Sequence, residues 1–268
     1  MTEVRYTVAR QYHIALDRGE VGRYVLLPGD PGRSARIAAA FDDAREVAHN
    51  REYVTYTGTL LGEQVSVTST GIGAPSTAIA VEELAAIGAD TLIRVGTAGA
   101  IAAHLRRGDL VVAQGAVRDE GTSSQYIPLS YPAVAHPAVV SALTEAATGR
   151  GQQAHTGIIR STDALYADLA PRDMPLQALY QGTPNDVWAR GNVLCGEMEA
   201  AALFVVSSIR GLRAGCLLLV VNATGEGEIE AANVPSLDPL IATAAEALRL
   251  LIARDQKSQA ASSTDSPA

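Results

Sequence analysis

Apolar stretches rich in β-forming residues alternate along this chain with stretches in which apolar residues have helical spacing. The apolar stretches are residues 23–28, 54–61, 64–70, 91–97, 109–117, 155–161 and 215–224. The helical patterns cover residues 31–41, 75–87, 138–149, 197–210 and 235–253. Because several predicted strands are apolar throughout, the sheet must be covered on both faces. The alternation predicts one α/β domain over residues 1–254.

Composition narrows the classes of protein that this chain can belong to. The 268 residues are 47% hydrophobic and carry a net charge of −8. Such a chain can build a sizeable core, and its acidity argues against a nucleic-acid partner. We expect no membrane partner, because no apolar run is long enough to span a bilayer and the start lacks an apolar leader. The polar end, residues 255–268, predicts a disordered tail.

The ionisable residues limit the chemistry further. The two cysteines, Cys195 and Cys216, lie in or beside apolar stretches, which is typical of reduced core residues in a cytoplasmic protein. Lys257 is the only lysine and lies in the polar end, so a phosphate-binding or Schiff-base lysine is not expected. Arginines, carboxylates and five histidines remain for any chemistry that involves charge.

The stretch YVLLPGDPGR, residues 24–33, combines a strand end, two glycines and an arginine. Asp30 before Pro31 predicts a helix start, with Asp30 as the N-cap. Free N–H groups there, a close backbone approach at Gly29 and the guanidinium of Arg33 favour an anion such as phosphate. By itself the stretch is equally compatible with a turn that carries a surface arginine.

A second strand–glycine–helix stretch, VTSTGIGAPSTAIAVEEL, covers residues 67–84. It nearly matches the dinucleotide-binding fingerprint, with Ser76 at the third glycine position. That fingerprint requires an acidic residue near the end of the next strand, where it holds a ribose. The next strand instead carries Arg94, followed by Thr97. A cation there fits phosphate better than a ribose diol.

Four motifs in this order resemble the nucleoside phosphorylase superfamily, and uridine phosphorylases most of all. They are LPGDPGR, STGIGAPSTAIAVEELAAIG, RVGTAGAI and GEMEAAAL, and the likeness extends from residue 13 to residue 222. The resemblance implies a central mixed β-sheet, partly barrel-like and flanked by helices. It also implies a homo-oligomer built from dimers, a hexamer, with inorganic phosphate as co-substrate and no required cofactor.

The resemblance assigns site residues one by one. The phosphate-binding set is Gly29, Arg33, Arg51, Arg94 and Thr97, with Arg51 reaching the phosphate of a neighbouring subunit. The nucleoside-binding set is His13, Glu197, Met198, Glu199 and Arg172, with His13 contacting the 5′-hydroxyl of a neighbour's nucleoside. Arg33, Arg94 and Glu199 are the expected catalytic residues. Glu52, Ile72 and Ser76 match a site for a monovalent cation such as potassium.

The base-binding residues depart from the family pattern. Leu165 replaces an expected aromatic residue, and Arg172 stands one position from the arginine that reads the uracil edge; Gln177 is a more distant candidate. Purine enzymes carry an aspartate at the position of Ala223, and pyrimidine enzymes often carry an arginine there. Since Ala223 cannot protonate a purine, we expect a pyrimidine-like enzyme with an altered base or sugar pocket.

The expected reaction is phosphate-dependent cleavage of the N-glycosidic bond of uridine or a modified pyrimidine nucleoside. Its products are the free base and ribose 1-phosphate. Three alternatives stay open: a purine nucleoside phosphorylase, a nucleoside hydrolase of the same fold, and a nucleoside-binding protein without activity. The hydrolase is disfavoured because the chain retains Arg33, Arg51 and Arg94.

Overall fold

A computed structural model describes residues 10–169, 184–224 and 234–264 of the chain. Ten strands form one sheet within these residues. The strands are β1 (Tyr24–Leu27), β2 (Asp42–Asn50), β3 (Tyr53–Leu60), β4 (Glu63–Thr68), β5 (Thr91–Ala100), β6 (Leu110–Asp119), β7 (Ala133–Val134), β8 (Ala154–Thr162), β9 (Cys195–Glu197) and β10 (Arg213–Asn222). Each of the seven apolar stretches predicted as strands forms one.

Among the described residues, seven helices lie between these strands in the sequence, and α8 follows the last strand. They are α1 (Ser34–Ala38), α2 (Ala74–Ile87), α3 (Ser123–Tyr126), α4 (Pro137–Gly149), α5 (Leu165–Leu169), α6 (Pro184–Arg190), α7 (Ala200–Ile209) and α8 (Asp238–Thr264). None of those in the described part of the chain is both long and apolar enough to cross a bilayer.

The sheet is mixed and closes on itself over half of its width. Strands run in the order β10-β6-β8-β9-β5-β1-β4-β3-β2, and β10 also pairs with β5. This extra pairing closes β5, β9, β8, β6 and β10 into a five-stranded barrel, while the remaining strands extend from β5. The predicted mixed, partly barrel-like sheet flanked by helices is therefore confirmed.

Two helix predictions differ from the structure near the site. Residues 31–41 form a 3-10 turn over Pro31–Arg33 and the short α1 rather than one helix. Asp30 is the N-cap as predicted, and its carboxylate accepts a 2.8 Å hydrogen bond from the N–H of Gly32. Helix α7 begins at Ala200, because residues up to Glu197 belong to β9.

The C-terminal helix α8 extends beyond the predicted domain end. It continues to Thr264, through most of the segment 255–268 that the sequence predicts to be a disordered tail. Its contact with the sheet explains the difference, since Asp255 accepts hydrogen bonds from Tyr24 Oη (2.6 Å) and from both Nη atoms of Arg213 (3.0 and 2.6 Å). Burial and Asp255 together raise the pKa of Tyr24 to about 12.

Candidate active site

A cavity of about 590 Å³ opens at the carboxyl ends of β1 and β5. These strands are parallel neighbours: β1 ends at Leu27, opposite Arg94, and β5 continues past it to Ala100. The start of α2 and the link between β9 and α7 form other walls. Eight of the predicted site residues line the cavity: Gly29, Arg33, Ile72, Arg94, Thr97, Glu197, Met198 and Glu199. Strand ends thus bring together residues that are far apart in the sequence.

The guanidinium of Arg94 is buried beside two carboxylates. Its Nε lies 2.8 Å from Glu197 Oε2, and its Nη2 pairs with Glu199 Oε2. Burial alone would lower the pKa of Arg94, but the two carboxylates outweigh it and raise the pKa. The third nitrogen, Nη1, has no hydrogen-bond partner among the described residues and lies near Gly29, where an added Cβ would be 3.8 Å from it. A buried N–H donor without a partner favours an acceptor from a ligand.

Two glycines allow this close packing. A Cβ atom on Gly96 would lie 2.9 Å from Cζ of Arg94, so only glycine lets the guanidinium fold back over its own strand. Gly71 has a φ of +71°, and a Cβ there would lie 2.7 Å from Cγ of Glu52. The position of the Arg94 guanidinium therefore depends on Gly96, and the cavity wall before α2 depends on Gly71.

Arg33 supplies a second cation to the same cavity. Its Nε lies 3.6 Å from Oδ2 of Asp30, which is mostly exposed. Burial lowers the pKa of Arg33; Asp30 opposes this shift, and the nearby charge of Arg94 adds to it. A pKa lowered in this way indicates positive charge that its neighbours do not fully compensate. An anion bound between Arg33 and Arg94 would supply that compensation.

Glu197 has a fully buried side chain, and its contacts within the protein use both carboxylate oxygens. Oε1 accepts hydrogen bonds from the hydroxyl of Ser161 and the N–H of Ala200. Oε2 accepts from the N–H groups of Glu199 (2.9 Å) and Ala200 (3.0 Å), and contacts Arg94. Glu197 therefore caps α7 and fixes Arg94.

Glu199 lies at the N-cap position of α7 and turns its carboxylate into the cavity. Oε1 accepts a 2.6 Å hydrogen bond from the N–H of Gly73. Burial raises the pKa of Glu199; Arg94 and the Gly73 N–H oppose the shift, while the charge of Glu197 adds to it. This carboxylate is thus held from two sides at the edge of the cavity.

His13 and Arg51 do not line the cavity. They lie on an adjoining surface, where the Arg51 guanidinium stacks 5.6 Å from the ring centre of Tyr12. Asn50 Nδ2 donates a 2.7 Å hydrogen bond to the carbonyl of His13 and so joins the two segments. Tyr12 is 71% exposed and Ile72, at the cavity rim, is 77% exposed. Two predicted site residues therefore flank the cavity without entering it.

The predicted cation site lies in the same region. Ser76 Oγ donates to the carbonyl oxygens of Ile72 (3.2 Å) and Gly73 (3.1 Å), and Glu52 packs against Gly71. The described residues contain no group of three His, Cys, Asp or Glu side chains placed to hold a metal ion. A monovalent cation would instead use the carbonyl of Ile72 and the oxygens of Ser76 and Glu52.

Comparison with known proteins identifies the family to which the chain belongs. A model of the phosphorylase superfamily matches residues 23–254. The chain belongs to the phosphorylase superfamily. A uridine phosphorylase of Thermococcus kodakarensis is 47% identical, over 94% of this chain and 90% of the relative. A guanosine phosphorylase of Halorubrum lacusprofundi is 39% identical, over 86% of this chain and 89% of that protein.

A solved member of the phosphorylase superfamily has the same fold. The crystal structure of uridine phosphorylase from Vibrio fischeri, complexed with 6-hydroxy-1-naphthoic acid, superposes with a TM-score of 0.75. It is 36% identical in sequence, and the match covers 90% of this chain and 93% of that one. The fold inferred from the motifs is therefore that of a phosphorylase.

The remaining residues of interest are the base-binding candidates from the sequence and two residues near the cavity that the sequence did not predict. Arg172 and Gln177 lie outside the described residues, whereas Leu165 lines the cavity. Sequence reasoning missed Ser161, which donates to Glu197, and Val221, which lines the wall. Neither has a sequence signal of its own, because Ser161 acts through a contact between distant segments and Val221 is one apolar residue of a buried strand.

Proposed function

We propose that this protein cleaves the N-glycosidic bond of uridine by phosphorolysis. The observation that carries the proposal is the guanidinium of Arg94. Within the described part of the chain its Nη1 is a buried donor without a hydrogen-bond partner that lies near Gly29, and its Nη2 pairs with Glu199. One arginine thus stands between an open anion site and a carboxylate suited to sugar hydroxyls.

Phosphate would bind between Arg33 and Arg94, against the backbone of Gly29 and the hydroxyl of Thr97. The two guanidiniums supply planar, charged donors that match the oxygens of phosphate. Because Glu197 and Glu199 hold Arg94 before the ligand arrives, little ordering of that side chain remains to be done on binding. The protein's main contribution is then to position the nucleophile.

The ribose would lie over the phosphate, with Met198 packed against it and Glu199 accepting hydrogen bonds from its 2′ and 3′ hydroxyls. As the C–N bond breaks, C1′ acquires oxocarbenium character, as in glycoside hydrolysis. The phosphate anion below the ring and the Glu199 carboxylate both stabilise that positive charge. A phosphate oxygen then bonds to C1′, and the bonding electrons leave with the base.

The residues expected to contact the base favour a pyrimidine over a purine. The departing uracil needs donors at its carbonyl oxygens, where negative charge develops, and we propose Arg172 for this role. Ala223 provides no acid for a purine nitrogen. Guanosine is the second candidate, because the guanosine phosphorylase of Halorubrum lacusprofundi covers 86% of this chain.

His13 and Arg51 would complete the site of a neighbouring copy. Both residues lie beside their own cavity and not in it, on a surface that exposes Tyr12 and Ile72. A dimer that joins two such surfaces would bring each pair to the partner's cavity, and we propose a hexamer of such dimers. A potassium ion at Glu52, Ile72 and Ser76 would lie at this contact.

We also propose a cytoplasmic location. Cys195 and Cys216 are both free and buried, which suits a reducing compartment. Burial raises the pKa of both thiols, so neither is a ready nucleophile.

The test is release of free base from uridine, thymidine, inosine and guanosine, with and without inorganic phosphate. We expect phosphate-dependent release, fastest from uridine. Equal release in phosphate-free buffer would indicate a hydrolase, and no release from any nucleoside would indicate a binding protein. Guanosine as the fastest substrate would overturn the base assignment.

A further inference from the structure

The carboxylate of Glu83, on α2, is fully engaged by the segment that carries His13. Oε2 accepts hydrogen bonds from the N–H groups of His13 (3.0 Å) and Ile14 (2.8 Å). Oε1 lies 2.6 Å from Nδ1 of the His13 ring. The Glu83 side chain is 14% exposed and the His13 side chain 30%. The contact is therefore sheltered but leaves part of the imidazole open.

These contacts determine which ring nitrogen of His13 carries the proton. An ionised carboxylate only accepts hydrogen bonds, so the short contact requires a proton on Nδ1. In the neutral imidazole, Nε2 then has a lone pair and no hydrogen. The same α2 helix holds Glu199 through Gly73 at its other end.

We propose that Glu83 is a positioning residue that fixes the Nδ1–H tautomer of His13 and thereby makes the 5′ subsite select groups that donate a hydrogen bond. This inference rests on the proposed function, in which His13 serves the 5′ position of a neighbour's nucleoside. Glu83 itself touches no substrate. A 5′-hydroxyl can donate a hydrogen bond to Nε2 of His13. A 5′-O-methyl ether can only accept hydrogen bonds, so its oxygen would face the Nε2 lone pair without forming one.

The variant Glu83→Gln reverses this polarity. Its amide oxygen can still accept from the N–H groups of His13 and Ile14, while its NH₂ group faces Nδ1 and donates to it. The ring proton then moves to Nε2, which becomes a donor. The neighbouring Glu82→Gln is the matched control, since Glu82 pairs with Arg210 at the surface (2.6 and 2.9 Å).

Two measurements at pH 8 test the proposal. The first is the ¹⁵N spectrum of histidine-labelled protein, with the His13 signals identified by their loss in His13→Ala. The second is the ratio of kcat/KM for uridine to that for 5′-O-methyluridine. We expect Nδ1–H in the wild type and in Glu82→Gln, and Nε2–H in Glu83→Gln. The ratio should fall about tenfold in Glu83→Gln, the value of one hydrogen bond.

The two readouts separate this proposal from the proposed function. An Nε2–H tautomer in the wild type would overturn the inference even if phosphorolysis is observed, and this result does not require Glu83→Gln to fold. A changed tautomer with an unchanged substrate ratio would overturn the 5′ selectivity. If no nucleoside is cleaved, the proposed function fails and the selectivity with it, while the spectrum still decides the tautomer.

Discussion

The main-chain N–H of Gly73 donates a 2.6 Å hydrogen bond to Oε1 of Glu199, 126 residues later in the sequence. This bond ties the N-terminus of α2 to that of α7. Since Arg94 holds the other oxygen, the carboxylate has one orientation before any ligand binds. In the proposed mechanism, sugar hydroxyls must therefore use the remaining lone pairs of Glu199 or displace one of these two partners.

The variant Arg33→Ala should weaken phosphate use. It removes a half-buried cation whose charge is incompletely compensated, so we expect kcat/KM for phosphate to fall by about 10²-fold. Steady-state kinetics at varied phosphate would measure this. Arg36→Ala is the control, because Arg36 pairs with Asp238 on the exposed face of α1 (2.7 Å). Equal effects of the two variants would contradict the role of Arg33.

The acid limb of the pH profile should move with Glu199. Its pKa is raised by burial, so the carboxylate takes up a proton at higher pH than an ordinary glutamate. In the proposed mechanism the ionised form holds the ribose, so kcat/KM for uridine should fall as the pH decreases through this raised pKa. Glu199→Gln should lower kcat/KM on the order of 10²-fold and remove that limb. The same acid limb in the variant would assign it to another group.

The variant Gly96→Ala should damage the site without altering any polar group. The new Cβ would lie 2.9 Å from the guanidinium of Arg94 and 3.0 Å from Leu218 Cδ2. We expect a loss of about 1–3 kcal/mol in the free energy of unfolding, together with a raised phosphate KM. Gly149→Ala is the control, because nothing lies within 4 Å of its added Cβ. Denaturant unfolding and kinetics would compare them.

Mixing two inactive variants should restore activity if the site is shared between copies. We expect His13→Ala and Glu199→Ala to be impaired alone. After they are unfolded and refolded together, some cavities would combine an intact Glu199 with a neighbour's intact His13. Activity above that of either parent is the expected result. A monomer with full activity in sedimentation would contradict the shared site.

The contact between Asp255 and Arg213 should make stability depend on pH. Hydrogen bonds to Arg213 and Tyr24 outweigh burial and hold the pKa of Asp255 below its ordinary value of 3.8. The stabilisation is therefore complete above pH 3.8 and is lost as the pH falls through the lower, folded-state value. Asp255→Asn should cost on the order of 1–3 kcal/mol at pH 7 and progressively less in acid. Glu246→Gln, on the same helix, is the control, because the ion pair of Glu246 with Arg249 is long (3.7 Å) and exposed.

The seven apolar strands could be predicted because each signals burial through its own composition. Strand β2 could not, since its sequence is DDAREVAHN and most of its residues are at least partly exposed. Backbone pairing with β3 holds it in place. The two-residue β7 and three-residue β9 are likewise defined by their neighbours in the barrel. Pairing between distant segments has no local sequence signal.

The candidate site likewise contains residues that the sequence could predict and contacts that it could not. Arg33 and Arg94, which line the cavity, could be predicted as site candidates because the first follows an apolar strand and the second lies within one. The contact of Glu83 with His13 could not, since it joins α2 to a loop 70 residues earlier in the sequence. The same holds for Ser161 and Glu197, which meet only after β8 and β9 pair side by side.

The position of Lys257 has a practical consequence for attaching the protein to a surface. This lysine lies on an exposed part of α8, two residues beyond Asp255, which binds Tyr24 and Arg213 at the first residues of β1 and β10. The cavity opens at the opposite ends of the strands. Along β5, the six-residue step from Thr91 at the strand start to Thr97 at the cavity corresponds to roughly 20 Å. Apart from the amino terminus, amine-reactive coupling would act at Lys257 alone. An immobilised catalyst made in this way would keep its cavity turned toward the solution.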